Sequence, residues 1–276
     1  MIYPVLLILL MIWASFALRD RPLREYVAIY FACDLLTALA EPLFARFLQI
    51  YEAHMWLLPN ARDDNQATFM VIGFGLDPLL GVIYARYCRK HPVAIALVAA
   101  VLLGALEWWL VVEGYMIYRQ TWHPVFTVAA FFSLFLLTWR VSSGAWALPL
   151  WVHTYGLTLW LLVMSDMLLQ GIAGLWNFRV HLTGDPWQDT RLISFVLITL
   201  VIGPLIAAIA TAPIPRRALW AAGATVVFFA AEGAAWSYGF MNYTGWTVGL
   251  SFLRWVVWVT VPLLYASWMR GLPFRF

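Results

Sequence analysis

Glu107-Trp108-Trp109-Leu110-Val111-Val112-Glu113-Gly114-Tyr115-Met116-Ile117-Tyr118, with Trp122 just beyond, decides the reading of this chain. It returns as Glu232-Gly233-Ala234-Ala235-Trp236-Ser237-Tyr238-Gly239-Phe240-Met241-Asn242-Tyr243, with Trp246 beyond. Each copy sets a glutamate inside a long apolar run, then Gly, an aromatic, Met and Tyr. Upstream, Asp77-Pro78-Leu79-Leu80 precedes Glu107 and Gly203-Pro204-Leu205-Ile206 precedes Glu232, at nearly the same distance. A charge in hydrocarbon costs ~2.5–3.5 kcal/mol even on the mildest scale, so an acid kept there twice marks a functional position. The residues after each glutamate also suit a plain interfacial turn, with Gly114 and Gly239 ending helices and the aromatics anchoring at headgroup level.

The rest of the chain sets the environment. Of 276 residues, 64% are hydrophobic and 11% charged, against about 45–50% and about 25% in soluble domains. This is the composition of a polytopic membrane protein. Its net charge of +3 comes from arginines scattered between apolar spans, which excludes a nucleic-acid arm. Two cysteines, Cys33 and Cys88, give neither a disulfide framework nor a Cys-rich metal site. The 17 tryptophans suit interfacial belts, and also an aromatic pocket for an isoprenoid or other flat hydrophobic ligand. The apolar start lacks a basic leader and a cleavage site, so it reads as a retained helix.

A span needs about 20 apolar residues. Nine segments qualify: 2–18, 26–50, 68–87, 93–113, 124–141, 146–177, 191–212, 217–238 and 247–269. The sixth is long for an upright helix and holds Pro149, Gly171 and Gly174, so a tilt, kink or interfacial stretch is expected. Arg19, Arg21, Arg24, Arg86, Arg89, Lys90, Arg140, Arg216, Arg217, Arg270 and Arg275 fall on one side. Arg46, Arg62, Arg119, Arg179 and Arg191 fall on the other. The richer side is expected to be cytoplasmic, with the N-terminus outside and the C-terminus inside. The outer loops 51–67 and 178–190 then carry Glu52, Asp63, Asp64, Asp185 and Asp189.

The expected fold is an all-α bundle of about nine membrane helices in two parallel repeats. Residues 1–141 form the first and 124–276 the second, with the fifth helix shared. An even number of spans separates Glu107 from Glu232, so the halves keep one orientation and an axis along the membrane normal relates them.

The first half resembles a family of small five-helix membrane proteins common in spore-forming bacteria. The stretches that carry it are Arg21-Pro22-Leu23-Arg24-Glu25-Tyr26, Cys33-Asp34-Leu35-Leu36, Leu57-Leu58-Pro59-Asn60, and Glu107 with Gly114, Tyr118 and Trp122. The likeness covers roughly residues 10–141. A fainter copy over about 150–270 lacks the Leu-Leu-Pro-Asn loop and has Gly203 for Asp77. It implies a bacterial cytoplasmic membrane and the topology above, and it supplies no chemistry.

Candidate site residues follow from depth. Asp34 and Glu41 lie seven apart on one helix face, about 12 and 22 Å from the cytoplasmic end at 1.5 Å per residue. Pro42 follows Glu41 and Pro78 follows Asp77, and such prolines free carbonyls and bend helices. Glu107 falls at the depth of Glu41 and Asp77, so these acids cannot all ionise in a dry site. Asp34, Glu41, Asp77, Glu107, Tyr118 and Trp122 are the expected transport or ligand site. Glu232 and Arg254 share a depth on neighbouring helices and are expected to pair as a structural ion pair. At the matching place in the first half, Phe131 or Phe132 falls. Gly114, Gly239, Tyr243 and Trp246 mark the repeat, and Asp166 is a further intramembrane acid.

His153 is a lone helix histidine and His123 lies at the surface, so neither haem nor any other cofactor is expected. No metal-ligand cluster or nucleophile motif is read, and no catalytic residue is assigned. The expected function is a proton-linked carrier of a small solute. The alternatives are a non-catalytic subunit or scaffold of a membrane complex, and an intramembrane enzyme acting on a lipid or isoprenoid. Partners are membrane lipids, a hydrophobic ligand, and further copies or subunits of a membrane complex.

Overall fold

The computed structural model describes residues 2–17, 19, 22–41, 43–44, 48–119, 122–180, 182–212 and 217–270. The chain divides into two compact units, whose described residues lie within 2–149 and 150–270. Among the described residues there are nine continuous helices, three of them in more than one segment. Seven are long and apolar enough to cross a membrane, and Ile2–Ala17 is a shorter apolar helix. The protein is therefore membrane-embedded. Leu97, Val98, Val101 and Leu102 point outward from a single helix, as lipid-facing residues do.

The first unit runs α1 (Ile2–Ala17), α2 (Leu23–Glu41), strand β1 (Tyr51–Ala53), α3 (Ala61–Tyr87), α4 (Pro92–Val112), strand β2 (Met116–Tyr118) and α5 (Pro124–Ser142). Its first helix packs on α3 through Leu7, which meets Gly75. α4 and α5 approach closely over small residues: Ala96 and Ala100 are fully buried, and a Cβ on Gly104 would lie 2.5 Å from Val128 Cγ2.

The second unit runs α6 (Leu150–Asp166, continued by a wide turn Met167–Ile172) and strand β3 (Trp176–Phe178). Then come α7 (Pro186–Ser194, a wide turn Phe195–Ile202, and Gly203–Thr211), α8 (Arg217–Ser237), strand β4 (Met241–Tyr243) and α9 (Val248–Met269). α6 is its core: Leu159, Leu162, His153, Thr154 and Thr158 are fully buried. His153 Nδ1 lies 2.8 Å from the Tyr265 hydroxyl of α9, a structural hydrogen bond.

Three boundaries differ from the sequence expectation. α3 begins at Ala61 rather than 68, because Asn60 caps it and accepts from the Arg62 N–H at 3.0 Å. Within the expected span 26–50, residues 26–41 and 43–44 are helical, 48–50 are not, and residues 51–53 form a strand. The expected span 146–177 also shortens: its helix starts at Leu150 and residues 176–178 are a strand. The fold is thus not purely helical. Two three-residue ladders, Tyr51–Ala53 against Met116–Tyr118 and Trp176–Phe178 against Met241–Tyr243, tie the loops together at one end of each unit.

Wide turns are the other local departure. Ile72–Leu76 precedes Asp77-Pro78, and Phe195–Ile202 precedes Gly203-Pro204. A proline lacks the N–H that would bond four residues back, and its ring crowds that carbonyl, so the ladder widens there. Side chains meet the loosened carbonyls. The Tyr30 hydroxyl donates to Phe74 O, Thr37 Oγ1 to Gly73 O at 2.8 Å, and the Tyr155 hydroxyl to Thr199 O. Arg21, Pro42, Arg46, Arg216 and Arg275 lie outside the described residues.

Candidate functional site

The first unit carries a half-open cavity of about 500 Å³. Leucines, Ile72, Ala130, Met116 and the rings of Phe44, Tyr51, Phe69, Trp122 and Phe131 make most of its wall. Among the described residues two acids stand in that wall, Asp77 and Glu107, with Thr37 and Thr127 among the polar residues beside them. Asp77 reaches it from the first turn after the wide turn in α3 and is almost fully buried.

Glu107 is positioned by the chain that follows it. α4 ends at Val112, and Gly114 takes φ +75°, a conformation that side chains strain to adopt. The chain turns back and β2 pairs with β1, Tyr118 opposite Tyr51. That register returns the Tyr118 hydroxyl to Glu107 Oε1, where it donates a short hydrogen bond. Trp122 Nε1 donates to the same oxygen at 3.2 Å. His123 then caps α5, Pro124 opens it, and Thr127 Oγ1 donates to Glu107 Oε2 at 2.6 Å. Burial, and next the bond to Glu107, raise the Tyr118 phenol above its ordinary range, so it stays a donor. Glu107 therefore meets three neutral donors and, among the described residues, no cation.

Glu232 is held by the same kind of turn and a different partner set. Gly239 takes φ +75° and β4 pairs with β3, Tyr243 opposite Trp176. The Tyr243 hydroxyl donates to Glu232 Oε1 at 2.6 Å, and Ser251 Oγ donates to the same oxygen at 2.7 Å. Trp246 Nε1 donates to Ser251 at 2.7 Å, so it supports the glutamate through that hydroxyl. Burial, and next the bond to Glu232, push the Tyr243 phenol up to about 12. On the other oxygen, Arg254 Nη2 lies 2.5 Å from Oε2, and Trp255 Nε1 donates there too. The guanidinium carbon sits 4.3 Å from the Trp176 ring centroid, 4.6 Å from Trp258, 5.5 Å from Trp255 and 5.8 Å from Trp246.

Of the expected first-half site, the structure brings Asp77, Glu107 and Trp122 to one cavity, with Tyr118 bonded to Glu107. Asp34 is not in that wall. It is fully buried, its carboxylate oxygens have no hydrogen-bond partner among the described residues, and it lies within electrostatic reach of Asp77. Glu41 is the last described residue of α2 before position 42, and its side chain lies outside the described residues. Asp166 ends the regular part of α6, buried.

Sequence reasoning missed Thr127 and Ser251, each a single hydroxyl one turn into an apolar helix. Asp64 and Asp189 were read as loop acids, yet both are fully buried. Asp64 accepts the N–H groups of Trp56 at 3.0 Å, Leu57 at 2.8 Å and Leu58 at 3.0 Å. Asp189 accepts those of Leu182 at 2.9 Å and Thr183 at 2.7 Å. The local signal was an acid in the first turn of a capped helix. Among the described residues no group of three or more His, Cys, Asp and Glu side chains could hold a metal ion.

The chain matches no protein-family model, no curated protein and no solved structure.

Proposed function

We propose that the protein is a membrane carrier whose solute site is the cavity of the first unit, with Asp77 and Glu107 as its exchangeable carboxylates. The observation that supports this most is the position of Glu107: in the wall of an apolar cavity, bonded only to neutral donors among the described residues. A carboxylate held by neutral donors in an apolar wall is complemented by a cation beside it. A proton and a solute that compete for one carboxylate give proton-linked exchange, since each shifts the occupancy of the other.

We further infer that the units are tandem copies in one orientation, with the N-terminus outside and the C-terminus in the cytoplasm. Support comes from the order of elements: helix, strand, long broken helix, helix, strand, helix follows in each unit, with α1 added in front. One and the same spacing separates Asp64 from Asp189, Glu107 from Glu232 and Tyr118 from Tyr243. Matched this way, α5 corresponds to α9, so each copy has its own closing helix. The second copy, with its acid paired to Arg254, takes the structural role.

The carrier is tested in proteoliposomes that hold a pH-sensitive dye. A panel of amphipathic solutes should contain one that drives proton flux in wild type and not in Glu107→Gln. Solute uptake without proton movement, unchanged in Glu107→Gln, would remove the carboxylate from the mechanism.

One observation favours an intramembrane enzyme as a second reading. Tyr51 contacts Trp122 at 5.1 Å and Phe69 at 5.7 Å between ring centroids, and all three rings line the cavity. Aromatic faces stabilise cations, including a carbocation formed when an acid protonates an isoprenoid double bond. A changed isoprenoid product after incubation with purified protein would select that reading over transport.

A further inference from the structure

The second unit holds a cation against its glutamate, and the residues around that cation define what the first unit lacks. The Arg254 head group lies between Trp176 and Trp258, bonded to Glu232. Trp176 opens strand β3, and its ring stands 5.1 Å from that of Trp246. In the first unit Tyr51 opens strand β1, and its ring stands 5.1 Å from that of Trp122.

The helix that closes each unit can be aligned through the hydroxyl on each glutamate, Thr127 on Glu107 and Ser251 on Glu232. The caps agree, His123 for one helix and Thr247 for the other. Three residues past Ser251 stands Arg254; three past Thr127 stands Ala130. Next come Trp255 and Phe131, and a turn later Trp258 and Leu134. Ala130 thus takes the place of the arginine, where depth alone suggested Phe131 or Phe132. Tyr51, Trp122, Thr127, Ala130, Phe131 and Leu134 all line the cavity. A methyl group and open volume stand where the other unit has a guanidinium.

We infer that the solute of the first unit is an organic cation, a guanidinium or protonated amine on an apolar body. This rests on the carrier and duplication readings above and names their substrate class. The cationic head lies against Glu107 on the adjoining rings of Tyr51 and Trp122, as the Arg254 head lies against Glu232 on Trp176 and Trp246, with Leu134 where the second unit has Trp258. The apolar body fills the leucine-lined remainder of the cavity. Tyr118, Trp122 and Thr127 hold the Glu107 carboxylate in place before the cation arrives, so little ordering remains for binding to cost. An anionic solute would face Glu107 and Asp77 with no cation from the described wall. A neutral one would leave Glu107 without a counter-charge.

The test uses benzylguanidinium and its neutral counterpart benzyl alcohol, with the full-length protein in phosphatidylglycerol nanodiscs, a lipid without an amine. Binding is read by equilibrium dialysis. Wild type should take up one equivalent of the cation and favour it at least tenfold over the alcohol. Ala130→Arg supplies an internal cation and should lose the benzylguanidinium site. Glu107→Gln, which keeps the shape, should weaken the cation at least tenfold and leave the alcohol unchanged, so the inference stays testable if Ala130→Arg does not fold. In Arg254→Ala, added guanidinium should raise the thermal midpoint, and in wild type it should not.

Equal binding of alcohol and cation, both displaced by Ala130→Arg, would overturn the cation class while keeping the cavity as a solute site. Binding of neither probe to wild type would count against the cavity itself as well. Adding phosphatidylethanolamine to the nanodiscs separates two sources of the same chemistry. Displacement of the probe assigns the site to an aminolipid headgroup, and retention assigns it to a free cation.

Discussion

Arg254 Nη2 lies 2.5 Å from Glu232 Oε2, with both side chains buried and the guanidinium packed among four tryptophan rings. Charge, hydrogen bond and cation–π contact converge on one group. Removing the arginine leaves a buried carboxylate with neutral donors only. Arg254→Ala should therefore destabilise the protein by about 3–5 kcal/mol. Arg254→Ala with Glu232→Gln should cost less than Arg254→Ala alone, because no orphan charge remains. Unfolding in detergent followed by tryptophan fluorescence measures both. A silent Arg254→Ala would assign the second unit's stability elsewhere.

Glu107→Gln should be mild for stability, within ~1 kcal/mol. A glutamine oxygen can still accept from Tyr118 and Trp122, and no cation is orphaned. Thr127→Val, which strips the donor from Oε2, should cost about 1 kcal/mol and leave the fold intact. Function should respond in the opposite order of size to stability when these are compared with Arg254→Ala. The same fluorescence assay, run beside solute binding, checks this.

Asp64 gathers three backbone N–H groups of the segment that follows strand β1. Asp64→Ala leaves those donors without their acceptor, each costing about 1–3 kcal/mol where water cannot reach. Residues 54–60 should become the first site of limited proteolysis, and Asp64→Asn should lie between wild type and alanine. Asp189→Ala should act in the same direction on residues 181–185, with a smaller effect because it accepts from two backbone groups. Cleavage mapping by mass spectrometry would show whether the protected segments are these.

Glycines give an internal control on packing. A Cβ on Gly203 would meet Leu159 Cδ2 at 2.8 Å, the Ile198 carbonyl at 2.9 Å and Tyr155 at 2.9 Å. Backbone on one side cannot yield, so Gly203→Ala should destabilise by about 1–3 kcal/mol. Gly223, in α8, has nothing within 4 Å of an added Cβ. Gly223→Ala should be neutral or stabilising by up to about 1 kcal/mol. Equal effects at the two positions would contradict the close approach of α6 and α7.

The membrane helices were legible because an apolar run of span length has few other solutions. The Glu232–Arg254 pair was legible from depth, since both residues are costly in hydrocarbon and stand on consecutive helices. The strands were not, because Met116–Tyr118 and Met241–Tyr243 are three residues each and look like interfacial aromatics. Asp64 hid for a related reason: an acid at the head of a polar turn gives the same signal solvated or buried. The match of Ala130 to Arg254 was blurred by a loop one residue longer before α5 than before α9. The hydroxyl on each glutamate, with the helix caps His123 and Thr247, fixes that register, and lone threonines and serines in apolar helices carry no periodic signal.

Orientation rests on the basic residues and has its own check. A reporter active only in the cytoplasm, fused after Phe276, should be active, and one fused before Met1 should not. The reverse pair of results would invert the membrane sides assigned to every outer loop.

The most direct test of the solute site is an experimental density map of the protein as purified, read beside Glu107. The account predicts density in the first unit's cavity beside Trp122 and Tyr51, with a head within about 3 Å of the Glu107 carboxylate and an elongated body along the leucines. A cavity closed by the protein's own side chains, or a basic side chain of the chain itself on Glu107, would contradict it.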